Sequence, residues 1–168
     1  AWAVTETDMR KVIAPLLRPY AYLNLRGYRT VLLDPGHGGT DRGARGPRLG
    51  IEEKRTVLDI TRRVRFCLAR EGVRVFLTRD GDRPVELDSR AAQAARVGAD
   101  ALVSIHLNSA ESSFPRGVET YVMPVAGYPS TSSPVRGPGD RKFTPANNFD
   151  HSSTILGYAI QKALLAKT

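Results

Sequence analysis

Asp34-Pro35-Gly36-His37-Gly38-Gly39 follows directly on the apolar run Thr30 to Leu33. Such a run reads as a buried strand, and the glycine-rich turn at its end carries an imidazole, the place where an α/β enzyme keeps its chemistry. The chain has three histidines, and a second, His106, closes another apolar run, Ala101 to Ile105. Two strand-end imidazoles point to one metal site.

Outward from that turn, the segments alternate. Val57, Ile60, Val64 and Leu68 recur at helical spacing, with Gly72 as the stop. Val73 to Thr78 reads as a strand, Leu87, Ala91 and Ala95 mark a helix ending near Gly98, and the strand that delivers His106 follows. Strands and helices alternating at this spacing predict an α/β domain, a mostly parallel twisted sheet flanked by helices, with the site at the C-terminal ends of the strands. Further on, Gly117 to Met123 alternates as a strand, Val118, Thr120 and Val122 on one face and Glu119, Tyr121 and Met123 on the other. Pro124 to Asn148 has the proline, glycine and serine content of a long surface loop, and Ser152 or Ser153 is placed to cap a last helix. Residues 1–27 differ in character: Thr7-Asp8 starts a short helix to about Leu17, kinked by Pro15, in what reads as an N-terminal arm or linker before a catalytic domain over 28–168.

A chain of 168 residues with 41% hydrophobic content builds one core. No apolar stretch approaches the ~18 residues of a membrane span, and Ala1 to Val4 is too short for a leader, so the chain is either cytoplasmic or without its leader. The lone Cys67 reads as packed beside the apolar stripe of its helix. A net charge of +8, mostly arginine, favours polyanions, but aromatic residues are not interleaved with the basic ones as nucleic-acid platforms require, so no nucleic-acid partner is expected.

Zinc hydrolases hold the metal with three protein ligands and leave a fourth position open. His37 and His106 supply two imidazoles, and Glu52 or Glu53, at the start of the first crossover helix, supplies a carboxylate facing them. Both glutamates equally suit the positive end of that helix without any metal.

The sequence resembles the zinc-dependent N-acetylmuramoyl-L-alanine amidases of the type-3 amidase family from about Arg29 onward. The resemblance rests on Leu33 to Gly39, Gly50-Ile51-Glu52-Glu53-Lys54, Leu77-Thr78-Arg79-Asp80 with Arg83 and Arg90, Ser104 to Ser109, and Gly117 to Tyr121. It implies zinc as cofactor with His37, Glu53 and His106 as ligands, the family's zinc glutamate being the one before a lysine. It implies hydrolysis of the amide between the lactyl group of N-acetylmuramic acid and L-alanine in peptidoglycan, hence a periplasmic or extracellular, wall-associated protein. Peptidoglycan is then the partner, an activator protein is a further candidate, and a monomer is expected.

The family's general base is a second glutamate on a strand after the last helix. The chain ends at Thr168 before such a strand, so the domain is expected to be cut short there, with its catalytic base unknown and Glu119 the first suspect within these residues. The alternative reading is a non-catalytic zinc-containing peptidoglycan-binding or regulatory domain. Arg79 and Arg90 are expected to orient loops through carboxylate pairs. Asn108 and Ser109 either bind substrate or fix their loop, and His151 reads as an exposed helix-start residue rather than a ligand.

Overall fold

Thr30–Pro35 forms β1, and all six of its residues are buried. Its sequence therefore lacks the alternation of a half-exposed strand, as a central parallel strand covered on both faces should. The computed structural model describes residues 4, 9–21, 28–46, 50–109, 117–123, 143 and 145–166. Within them β2 (Arg74–Leu77) and β3 (Ala101–Ile105) flank β1 in the order β2-β1-β3, both parallel to it. Leu33 lies opposite Leu77 on one side and Val103 on the other.

The described α-helices are α1 (Ala14–Leu17), α2 (Glu53–Arg70), α3 (Leu87–Val97) and α4 (Asp150–Leu165). The chain divides into two compact units, one of residues 26–115 and one combining 1–25 with 116–168. The first holds the sheet with α2 and α3. Its chain steps from β1 to β2 in one direction and from β2 across to β3 in the other. Right-handed crossovers then put α2 and α3 on opposite faces.

In α2, Val57 and Thr61 are fully buried, and the Thr61 hydroxyl donates to the Val57 carbonyl at 2.6 Å, so a polar side chain enters the core without an orphaned group. The helix ends where Gly72, at φ 79°, lets its N–H reach the Ala69 carbonyl while the Val73 N–H reaches that of Leu68. This is the Schellman pairing, and α3 ends in the same way at Gly98.

Two aspartates fasten the sheet at its ends. Asp34, on β1, accepts from the Thr78 hydroxyl at 2.6 Å, from the Ser104 hydroxyl at 2.7 Å and from the Arg90 guanidinium. One buried carboxylate thus joins β1, β3, the residue after β2, and α3. At the other end, Asp100 accepts the N–H groups of Arg29 and Thr30, both at 2.8 Å, and its own N–H donates to the Thr30 carbonyl.

In the second unit, several expectations are corrected. The N-terminal segment is a π turn, Met9–Ile13, followed by α1. Pro15 has no N–H for the Lys11 carbonyl, and the winding widens ahead of it. Thr7 and Asp8 lie outside the described residues. Gly117 to Met123 joins no sheet among the described residues. The Val118 carbonyl is instead taken by the Gln161 amide at 2.9 Å, and Thr120 donates to Gln161 at 2.8 Å, so the segment lies along α4. Its alternation survives over Val118 to Tyr121, with Val118 and Thr120 part-buried and Glu119 and Tyr121 exposed; Val122, itself exposed, lies so close to Gly157 that a β-carbon there would meet it at 2.4 Å.

The predicted loop runs largely outside the described residues, and its last part, Pro145–Phe149, is a 3-10 turn. It leads into α4 at Asp150, earlier than Ser152 or Ser153, with Asp150 accepting from the Asn147 amide at 3.1 Å. Cys67 is exposed rather than packed, since it lies about a quarter of a turn from the Val57–Thr61 stripe.

The hydrogen bonds from Thr30 and Arg29 hold the Asp100 carboxyl below the usual range. A depressed folded-state pKa contributes stability above the unfolded value of about 3.9 and loses it as pH falls through the lower folded value. The melting temperature is therefore expected to fall on acidification below about pH 4, and Asp100→Asn should melt lower at neutral pH with a shallower acid decline. Equal acid slopes in thermal scans of both proteins would refute this role for Asp100.

Candidate metal centre

The backbone delivers the first imidazole under strain. His37 sits at φ 61°, the only described non-glycine residue at positive φ, a conformation that persists where its surroundings over-determine it. Those surroundings are visible. The Gly36 N–H donates to the Ile105 carbonyl at 3.0 Å, carrying the β1–β3 ladder past the strand end. A β-carbon on Gly36 would lie 2.2 Å from the His106 ring, so glycine is what lets the two histidine-bearing chains approach. Gly43 plays the same part on the far side, where a β-carbon would meet the His37 ring at 2.6 Å and the Glu53 carboxylate at 2.7 Å.

The second chain is α2. Glu53, 4% exposed, is its first residue, and its N–H and carboxylate both engage Ala44, the carboxylate accepting from the Ala44 N–H at 2.8 Å. The other carboxylate oxygen accepts from the Leu107 N–H at 2.6 Å. Burial pushes the Glu53 pKa up, but these two amides and the facing imidazoles outweigh it and hold the carboxyl below its usual value. Glu52 points elsewhere, toward Arg42 at 3.4 Å and Arg55 at 3.5 Å.

His37 Nε2, His106 Nδ1 and Glu53 Oε1 converge. Nε2 to Nδ1 is 3.1 Å, Nε2 to Oε1 is 3.1 Å and Nδ1 to Oε1 is 3.3 Å. A tetrahedron with metal–ligand lengths of about 2.0–2.1 Å has edges of about 3.3 Å, so the three atoms fit one of its faces. His106 is the exposed member, and the group is open to solvent beside it. Among the described residues this is the group of histidine, cysteine and carboxylate side chains able to hold a metal ion.

Asp41, which the sequence did not single out, completes the arrangement. Its carboxylate lies 2.9 Å from His37 Nδ1 and is held below the usual range by the hydrogen bond to that imidazole and then by the Gly43 N–H. As an ionised acceptor it keeps the proton on Nδ1 and turns the Nε2 lone pair toward the group. The signal available was a carboxylate four residues beyond a strand-end histidine, inside the same glycine loop.

Arg90 pairs with a carboxylate, that of Asp34, as expected. Arg79 does not. It is 1% exposed and donates to backbone carbonyls: Pro35 at 3.0 Å, Gly36 at 2.7 Å, Lys54 at 2.8 Å and Gly81 at 3.1 Å. The carboxylate nearest in sequence, Asp80, is taken by Arg62 and Arg65. Asn108 and Ser109 are exposed just beyond His106. His151, on the first turn of α4, is half-buried rather than exposed, and Glu119 accepts from the Tyr121 hydroxyl; both belong to the other compact unit.

A family model described as N-acetylmuramoyl-L-alanine amidase matches residues 31–168. The sporulation-specific N-acetylmuramoyl-L-alanine amidase of Bacillus subtilis is 40% identical over 104 residues, 61% of this chain and 39% of that protein. AmiC of Escherichia coli is 39% identical over 104 residues, 61% of this chain and 25% of that protein. The chain thus spans between a quarter and two fifths of these curated relatives. Among solved structures, the catalytic domain of the CwlV amidase from Bacillus (Paenibacillus) polymyxa var. colistinus is similar with a TM-score of 0.55 and 37% identity, over 58% of this chain and 55% of that one. The CwlD amidase from Clostridioides difficile, solved in complex with the GerS lipoprotein, gives 0.53 and 31% over 61% of this chain and 57% of that one. Because the match runs from β1 to the last residue and includes both strand-end histidines and Glu53, the chain belongs to the N-acetylmuramoyl-L-alanine amidase family.

Proposed function

We infer that this chain binds one zinc ion through His37, Glu53 and His106 and hydrolyses the amide between N-acetylmuramic acid and L-alanine in peptidoglycan. The observation that carries the reading is the triangle of three donor atoms, with separations of 3.1, 3.1 and 3.3 Å, on a chain of this family. Two neutral imidazoles and one carboxylate leave a bound Zn²⁺ a net charge of +1, and nitrogen and oxygen donors suit zinc. When bound, zinc supplies Lewis acidity, polarising a carbonyl and lowering the pKa of a water toward ~7.

The chain's own described groups hold the ligands ready for the ion. Glu53 is kept ionised and immobile by the Ala44 and Leu107 amides, so ordering it at the moment of binding costs little. Asp41 fixes the His37 tautomer. The exposed edge beside His106, continued by the exposed Asn108 and Ser109, is the proposed approach for the substrate amide, with those two residues either binding it or fixing their loop.

Peptidoglycan lies outside the cytoplasmic membrane, so the proposed location is the periplasm or the cell surface, against the wall. No described helix is long and apolar enough to cross a membrane. The complex of the CwlD relative with the GerS lipoprotein supports a protein partner, proposed here to be an activator, and the chain itself is proposed to act as a monomer on the wall.

Glu53→Gln should weaken zinc binding by more than the roughly 10–100-fold typical of changes outside the ligand set, whereas Glu52→Gln should leave it unchanged. Metal analysis after dialysis against a chelator series reads this directly, and equal zinc in both variants would remove Glu53 from the site. For the reaction, digestion of purified sacculi should expose new N-terminal L-alanine, in an amount abolished by chelation and restored by added zinc. New reducing sugar ends without free alanine amine would instead indicate glycan cleavage and overturn the amide assignment.

A further inference from the structure

We propose that Arg79 is a positioning residue for the metal centre, fixing before metal arrives the distance between the turn that carries His37 and the helix start that carries Glu53. This rests on the zinc reading above. The guanidinium is 1% exposed and no carboxylate among the described residues pairs with it, an arrangement that burial alone disfavours and that carbonyl dipoles must offset. Burial, followed by the charge of Arg90, lowers its pKa, with Asp82 and Asp34 acting the other way.

The identity of the carbonyls gives the arrangement its meaning. Pro35 and Gly36 are the two residues before His37, and Lys54 is the residue after Glu53. A single Nη2 spans the gap, donating to Gly36 at 2.7 Å and to Lys54 at 2.8 Å. The planar ion is therefore a buried spacer between the two ligand-bearing segments, on the side where the chain comes before His37. Its remaining bond, to Gly81, anchors the spacer to the loop after β2.

Lys54 strengthens the same junction from outside. Its ammonium donates to the Gly39 carbonyl and to Asp82, both at 2.7 Å, and Asp82 in turn accepts the Gly39 N–H at 2.7 Å. That clasp holds the turn beyond His37, whereas Arg79 holds the turn before it. A lysine at position 79 would carry the charge but is a point donor, without the rigid fork that reaches three chain segments at once.

The test compares zinc affinity, by competition with a chromophoric chelator, in the unaltered chain, Arg79→Lys and Arg62→Ala. Arg62 pairs with Asp80 on the surface and serves as a control for stability lost without a change at the site. Arg79→Lys should lose roughly 10–100-fold in zinc affinity, the range for groups behind the ligands, and the spectrum of its cobalt-substituted form should shift. Arg62→Ala should keep its affinity even where its melting temperature drops as far. Equal affinity in Arg79→Lys and the unaltered chain would overturn the proposal, while failure of the unaltered chain to bind zinc would overturn the zinc reading itself.

Should Arg79→Lys not fold, the Nε–H signal of Arg79 in the unaltered zinc-free chain decides the matter. Slow exchange with solvent before zinc is added is the expected result. Rapid exchange that slows only on adding zinc would mean that the metal organises Arg79 and not the reverse.

Discussion

A carboxylate buried at the C-terminal end of the central strand governs this structure. Asp34 is 3% exposed and collects the Thr78 and Ser104 hydroxyls and the Arg90 guanidinium. Hydrogen bonds from neutral hydroxyls and a paired cation are what make such burial tolerable. In return, the ends of three strands and one helix are held to a common point. Both imidazoles and the buried arginine follow within a few residues of that point: His37 three positions on, Arg79 next to Thr78, and His106 two positions beyond Ser104; Glu53 arrives separately, on α2.

The site is a second tier built on that knot. Cations and carbonyls alternate there. Arg90 and Arg79 lie inside, turned to carbonyl oxygens and to Asp34, and the lone pairs of His37, His106 and Glu53 face one another outside. Three acceptor atoms so close together repel unless a proton or a cation lies among them. The backbone strain at His37 and the missing β-carbons at Gly36 and Gly43 are the steric side of the same arrangement.

Much of this was legible in the sequence, for identifiable reasons. A run of Val, Leu and Leu before Asp-Pro-Gly-His can only be a strand meeting a turn, and Gly72 and Gly98 mark helix ends because few other residues accept their conformation. Choosing Glu53 over Glu52 required the family's lysine, since adjacent helix-start residues share one environment until tertiary contacts separate them. Arg79 was misread because side-chain periodicity carries no information about which backbone carbonyls a fold leaves without partners. Gly117 to Met123 misled for a related reason: alternation records one covered face, and an extended chain on a helix has one as a strand does. Cys67 lies about a quarter of a turn from the buried stripe, far enough round the helix to face solvent.

His106 reaches the site only through the pairing of β3 with β1, whose register sets Asp34 beside Ser104 and Pro35 beside Ile105. Sixty-nine residues separate it from His37, so the loop that joins them closes late and at an entropic cost. Side chains alternate along a strand, and slipping β3 by one position would carry Ser104 away from Asp34 and His106 away from Glu53 together. A metal ion held by all three ligands therefore favours one alignment of the sheet over its neighbours. With an ion held as proposed, the group would be a checkpoint on strand register as well as a place for chemistry.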